Sequence, residues 1–244
     1  MNRPRVVVIV QARMGSTRLP GKVLMDLEGR PMLERQVERL QRARTPDAIV
    51  IATTTDARDQ PIVDLATHLD VPVTRGSEDD VLDRYVRAAE AHAADVIVRV
   101  TADCPLVDPE VLDGCVDILL AEPTLDYASN TLQRTYPRGL DVEVLPRAIL
   151  ETAAREATDP ADREHVTRFV WRQPDRFRLG SITDDGDHSD LRWTVDTPED
   201  LKLVRRIYAD VSPSEPLVGY RAALRHAEAF PDIHARNAHV DQRT

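Results

Sequence analysis

The sequence predicts an α/β protein in which a largely parallel sheet is covered by helices on both faces. Three observations lead there. Short runs rich in Val and Ile, such as Val6 to Val10, alternate with longer amphipathic stretches. Proline stands at the start of five of the eight amphipathic stretches, at Pro31, Pro109, Pro146, Pro160 and Pro198, where a first helical turn accepts it. The core must be aliphatic, since 42% of the 244 residues are hydrophobic and 4% aromatic.

Taken in order, a strand is expected at 5–11 and a helix at 31–43, where Met32, Leu33, Val37 and Leu40 recur at helical spacing. Strand 48–53, helix 59–69, strand 71–74, helix 79–93, strand 95–100 and helix 109–121 continue the alternation. Strands at 125–129 and 141–145, helices at 146–157 and 160–173, and strands at 177–182 and 191–195 follow. Helices at 198–210 and 216–229 close the pattern, with Thr197 placed to cap the first and Asp200 three residues on. Residues 1–230 read as one domain, of which about 130–190 breaks the rhythm and forms a lobe. The polar end, 231–244, is expected to fray.

Composition narrows the function. A formal net charge of −10 speaks against broad nucleic-acid binding, which calls for a basic face. Apolar runs are far too short to cross a bilayer, and no signal-peptide pattern follows the basic start, so a cytoplasmic protein is expected. Cys104 and Cys115 supply neither a disulfide framework nor a zinc ligand set. Cys104 reads as a small apolar filler, and Trp171 and Trp193 as core or interface.

Against that acidic background, residues 11–22 stand out. Arg13, Arg18 and Lys22, with Gly15 and Gly21, follow directly on the first strand. Glycine lets backbone N–H groups turn to a ligand, and the cations suit a polyanion, so the loop is a candidate phosphate site. It is neither a Walker A loop, since five residues separate the glycines and Val23 follows Lys22, nor a G-x-G-x-x-G fingerprint. Spacing alone leaves the ligand open.

Gln11 to Leu24 with Gly29-Arg30-Pro31-Met32-Leu33 resembles the nucleotide-binding start of the CTP-dependent sugar-acid cytidylyltransferases. The likeness is nearest to their spore-coat polysaccharide branch. Arg75 to Leu82, Thr101 to Leu106, Arg138 to Glu143, Glu164 to Thr167 and Val195 to Leu201 match in the family's order, over about residues 5 to 210. The resemblance implies a Rossmann-like nucleotidyltransferase fold with a mixed, mostly parallel sheet, and a small acceptor and dimerisation lobe at 130–190. It implies a homodimer, CTP as substrate, Mg²⁺ held by Asp103 and Asp196, and an anionic acceptor such as a sugar acid or phosphonate. Arg13, Lys22, Asp103 and Asp196 would carry the chemistry. Ala12, Gly15, Ser16 and Arg18 would join them around the nucleotide, with Arg75, Gly76, Ser77 and Asp80 enclosing the base. Asn130, Arg138, Asp141, Glu143 and His165 would face the acceptor, with Arg168 a weaker candidate.

The residues support parts of this independently. Asp103 follows strand 95–100 by three residues and Asp196 follows strand 191–195 directly, so both belong at the rim where α/β sheets bind ligands. Two carboxylates plus substrate phosphates suit Mg²⁺. Asp108 and Asp200 read better as helix caps. Ser77 and Asp80 also fit a helix N-terminus, and His165 fits a structural role equally well. Arg138 could fork onto an acceptor carboxylate or phosphonate. Alternatives are a transferase of this fold using another nucleotide, or a non-catalytic nucleotide-binding protein. A glycosyltransferase fits less, because Asp103-Cys104-Pro105 lacks the second acid of a D-x-D motif.

Overall fold

In the computed structural model, which describes residues 3–240, the valine-rich run near the start becomes the middle of the sheet. Strands are β1 (Val6–Gln11), β2 (Asp26–Leu27), β3 (Arg30–Pro31), β4 (Ala48–Thr54), β5 (Val73–Gly76), β6 (Val96–Thr101), β7 (Tyr127–Ser129), β8 (Glu143–Pro146) and β9 (Leu179–Ser181). Helices are α1 (Met32–Leu40), α2 (Gln60–His68), α3 (Val81–Ala91), α4 (Pro109–Ala121), α5 (Arg147–Glu156), α6 (Pro160–Glu164), α7 (Arg168–Trp171), α8 (Pro198–Val211), α9 (Tyr220–Ala229) and α10 (Pro231–His234). The main sheet runs β5-β4-β1-β6-β8-β7-β9, while β2 and β3 make a small hairpin. It is mixed and mostly parallel: β8 alone is antiparallel to its neighbours β6 and β7.

Side-chain alternation divides the core. Val6, Val8 and Val10 of β1 pack with α1, α2, α4, α8 and α9. Val7 and Ile9 face the other way, onto α3, α5 and Val170 of α7. That is the period of two expected of a strand buried on both sides. Each such buried aliphatic side chain contributes about 1.5–3 kcal/mol.

Three expectations need correcting. Residues 191–195 form no strand. Their backbone groups go to loops instead: Arg138 N–H donates to the Leu191 carbonyl at 2.9 Å, Trp193 N–H to Arg138 at 2.7 Å, and Val195 N–H to Asp103 at 2.8 Å. The stretch expected as helix 160–173 is broken between α6 and α7, where Val166 sits at φ 56°. A β-branched residue there is strained by roughly 1–3 kcal/mol. The tail does not fray from 231, because α10 and a 3₁₀ turn at Ala235–Asn237 bury His234 and Asn237. Residues 241–244 lie outside the described part. Among the described residues no helix is long and apolar enough to cross a membrane.

Candidate active site

Parallel β1 and β6 finish side by side, Gln11 opposite Thr101, so the segments that follow them share one rim. After β1 the loop is pinned at three points. Ala12 N–H donates to the Ala52 carbonyl at 3.1 Å, Met14 N–H to the Asp59 carboxylate at 2.7 Å, and Gly21 N–H to the Met14 carbonyl at 3.0 Å. Gly21 closes the loop at φ 71°, which glycine adopts without steric cost, and a 3₁₀ turn then begins at Lys22. After β6, the turn carrying Asp103 is gripped by α1: Gln36 Nε2 donates to the Thr101 and Cys104 carbonyls at 2.8 and 3.0 Å. The bond from Val195 N–H to the Asp103 carbonyl then brings Asp196 alongside.

The two acids converge on one ammonium. Lys22 Nζ lies 3.1 Å from Asp103 Oδ2 and 2.9 Å from Asp196 Oδ1. Asp196 Oδ2 also meets Arg192 at 2.8 Å and Arg18 at 3.2 Å, and Asp103 Oδ1 accepts from the Thr101 hydroxyl at 2.5 Å. Burial works to lower the Lys22 pKa, but the two carboxylates outweigh it and hold it above the ordinary lysine value. Burial works to raise the Asp103 pKa, and Lys22 and Thr101 hold it below the usual carboxylate value. Both groups are therefore charged at neutral pH. Burial pushes the neighbouring Cys104 thiol far up, which removes it as a nucleophile.

Two cavities meet at this cluster. The smaller, of about 250 Å³, is lined by Arg13, Ser16, Arg18, Lys22, Asp103 and Asp196 among others. The larger, of about 540 Å³, opens onto Arg138, Asp141, Glu143, His165 and Arg168. Gln11, Arg18, Thr101, Asp103, Glu164 and Asp196 line both. The donor set at the junction is two hard carboxylates, a fit for Mg²⁺ and not for a thiophilic metal.

Not every expected residue arrives. Asn130 is fully buried away from both cavities, with its amide bonded to the Leu140 carbonyl and the Val142 N–H at 2.9 Å each. Arg75 turns to the Thr54 and Asp56 carbonyls at 2.8 and 2.9 Å. Gly76 makes room for Arg84, whose Cγ would lie 2.6 Å from an added Cβ. Ser77 accepts from the N–H groups of Asp79 and Asp80, while Asp80 caps α3 and pairs with Arg163 at 2.6 Å. Neither these four nor Ala12 and Gly15 line the cleft. Residues 75–80 approach the loop through Glu78, 3.9 Å from Arg13. Asp108 and Asp200 do cap α4 and α8, the latter in a capping box with Thr197.

Other cleft residues went unread. Arg99, a charge inside the aliphatic strand β6, pairs with Glu143, which also accepts from Tyr127 at 2.7 Å and from Thr167. A cation in an apolar run is a signal that could have found it. Glu164 adjoins His165 and lines both cavities. Arg134, bound to both Asp141 oxygens at 2.7 and 2.9 Å, carries no local signal, nor does Arg192, which lies buried behind Asp196 and outside the cleft lining.

A profile of the cytidylyltransferase family matches residues 7–228. The chain is 34% identical to the spore coat polysaccharide biosynthesis protein SpsF of Bacillus subtilis, covering 86% of this chain and 91% of that one. A cytidylyltransferase structure from Leptospira borgpetersenii superposes with a TM-score of 0.92 at 31% identity, covering 98% of this chain and 100% of that one. A CMP:2-keto-3-deoxy-manno-octonic acid synthetase complexed with CTP shares the fold, with a TM-score of 0.65 at 20% identity over 84% of this chain and 99% of the other. The chain is thus a nucleotidyltransferase and belongs to the cytidylyltransferase family.

Proposed function

We propose that the protein transfers a cytidylyl group from CTP to a sugar acid or a related anionic acceptor such as a phosphonate, releasing pyrophosphate. The observation that carries this is the meeting of Asp103 and Asp196 on Lys22 where the two cavities join. Asp103 and Asp196 would hold Mg²⁺, which supplies Lewis-acid stabilisation of phosphoryl charge. Arg13, Arg18 and Lys22 line the smaller cavity and would supply fixed positive charge to the triphosphate as pyrophosphate leaves. Ser16 adds a hydroxyl there.

The acceptor takes the larger cavity. Arg138 makes no ion pair among the described residues, so its guanidinium is available to the acceptor's anion. Asp141, Glu143 and His165 line the same space and suit hydroxyl recognition. Holding acceptor and α-phosphorus across the shared junction converts a bimolecular attack into an oriented one. No covalent enzyme intermediate is required.

A homodimer fits the exposed Leu132 and Trp171 at the mouth of the larger cavity, and light scattering of the purified protein measures it. A cytoplasmic site, where CTP is made, suits the reaction. The direct test is pyrophosphate release from CTP and Mg²⁺ across a panel of sugar acids and phosphonates. Release with at least one acceptor, and none from ATP, GTP or UTP, is expected. Silence across the panel overturns the reading.

A further inference from the structure

Asp196 is supported from behind by the end of the described chain. Asn237 is 1% exposed, and its amide nitrogen donates to the Arg192 carbonyl at 3.0 Å and to Asp200 Oδ1 at 2.8 Å. Both partners are acceptors, so the nitrogen has to face them. The amide oxygen is left buried with no partner among the described residues. A residue retained for packing alone would gain from an apolar side chain here; the donors are what this position uses.

The two bonds feed directly into the acid cluster. Asp200, fully buried, also accepts from Arg192 Nε at 3.0 Å and from the backbone N–H groups of Asp196 and Thr197 at 3.0 and 2.9 Å. Arg192 Nη2 in turn reaches Asp196 Oδ2 at 2.8 Å. Asp196 is thereby held at its main chain by Asp200 and at its carboxylate by Arg192, and Asn237 ties those two holders together. The 3₁₀ turn bearing Asn237 is itself anchored, since His234 Nδ1 accepts from Trp193 Nε1 at 3.1 Å.

We propose that Asn237 is a positioning residue that orients Asp196, through Asp200 and Arg192, for the divalent cation of the transfer reaction. This rests on the reading of Asp196 as a cation ligand. Support of this kind around a ligating carboxylate typically governs metal affinity by about 10- to 100-fold.

The test uses the full chain with CTP and Mn²⁺, following free Mn²⁺ by electron paramagnetic resonance. Asn237→Leu removes both donors at similar size, and Asn237→Asp keeps the shape but sets a second carboxylate beside Asp200. Mn²⁺ affinity is expected to fall about 10-fold in the first and further in the second, with the KM for acceptor unchanged. If either fails to fold, Asn237→Ser retains one donor and is expected to show an intermediate loss. Thermal midpoints are recorded alongside, because a purely structural role would lower stability and leave Mn²⁺ affinity within twofold. That result overturns the proposal. If Asp196→Asn also leaves Mn²⁺ binding intact, the reading of Asp196 falls and the proposal with it. If Asp196→Asn abolishes binding while the Asn237 variants keep it, only the proposal fails.

Discussion

The two halves of the cleft handle charge differently. On the loop side, Lys22, Arg18 and Arg192 all crowd Asp196, and Lys22 is shared with Asp103. On the lobe side, charges are matched in closed pairs: Arg99 with Glu143, Arg134 with Asp141, and Arg168 with Asp159 and Asp162 at 3.0 and 2.5 Å. Arg138 stands outside that pairing. Burial first, and then the nearby Arg134, lower its pKa below the ordinary arginine value against the opposing pull of Asp141. The first arrangement can exchange a protein carboxylate for a phosphate. The second has largely neutralised its wall, so under the proposed reaction its selectivity for an anion would rest on Arg138.

The largest effect expected from this contrast is at the shared junction. Asp196→Asn keeps the shape and removes the charge that three cations surround, and kcat should fall by about 10³-fold or more. Pyrophosphate release at saturating CTP measures it. A drop below tenfold would mean that the loop side does not carry the chemistry.

Next comes a loss of stability on the lobe side. Glu143→Gln strands the guanidinium of Arg99, whose Nε already lacks a partner among the described residues. Removing one member of a buried pair costs about 3–5 kcal/mol, and replacing both by apolar residues of similar volume recovers much of it. Urea unfolding of Glu143→Gln and of the double variant Arg99→Met with Glu143→Met checks this. If the double variant is no more stable than the single, the wall pairs are not closed units and the contrast with the loop side weakens.

The same contrast explains what the sequence could show. The loop side is assembled from residues that follow strands directly, so Arg13, Lys22 and Asp103 were legible from strand ends, glycines and charge. Asp196 reaches the same rim by another route than expected: 191–195 is no strand, and the Val195 bond to Asp103 brings it there instead. The lobe side is built from charge pairs, Arg99 with Glu143 across two strands and Arg134 with Asp141 in the stretch between β7 and β8. No periodicity reports such pairs, so the sequence carries no signal for Arg134 or Arg192, nor for the burial of Asn130 outside the cleft. Residues 75–80 stand outside the cleft lining for a different reason. Their polar side chains are consumed by capping, by backbone carbonyls and by Arg163, and only the packing shows that. The break at Val166 needs tertiary information as well, since local pattern favours an unbroken helix there.

A smaller change separates the halves kinetically. Arg138→Met should raise the KM for acceptor by about 10- to 100-fold, the worth of one charge-assisted contact, and leave the KM for CTP unchanged. Steady-state kinetics with each substrate varied in turn decide it. Equal rises in both would show that Arg138 serves the junction and not the lobe.

Acid should separate the supports of the cleft by the smallest margin. His234 accepts from Trp193 through Nδ1 and faces His226, itself 2.9 Å from Asp210, which Arg206 also pairs with. Burial first, and then His226, lower the His234 pKa from 6.5 to about 4. The folded state therefore keeps this imidazole neutral, while the unfolded chain takes up a proton near 6.5. Below that value the unfolded state binds more protons, so stability falls as pH drops from 6.5 toward 4 and is flat with respect to this group above it. Asp210 acts lower. Burial works to raise its pKa, but Arg206 and His226 bring it below 3.8, so its contribution is lost only beneath that value. On the loop side, the two carboxylates hold the Lys22 pKa above the ordinary lysine value, so that ammonium keeps its charge throughout this range. Thermal midpoints between pH 7 and pH 4 should thus slope downward in the wild type and less steeply in His234→Phe, which lacks the titrating ring. Identical slopes in the two proteins would remove His234 from the acid response.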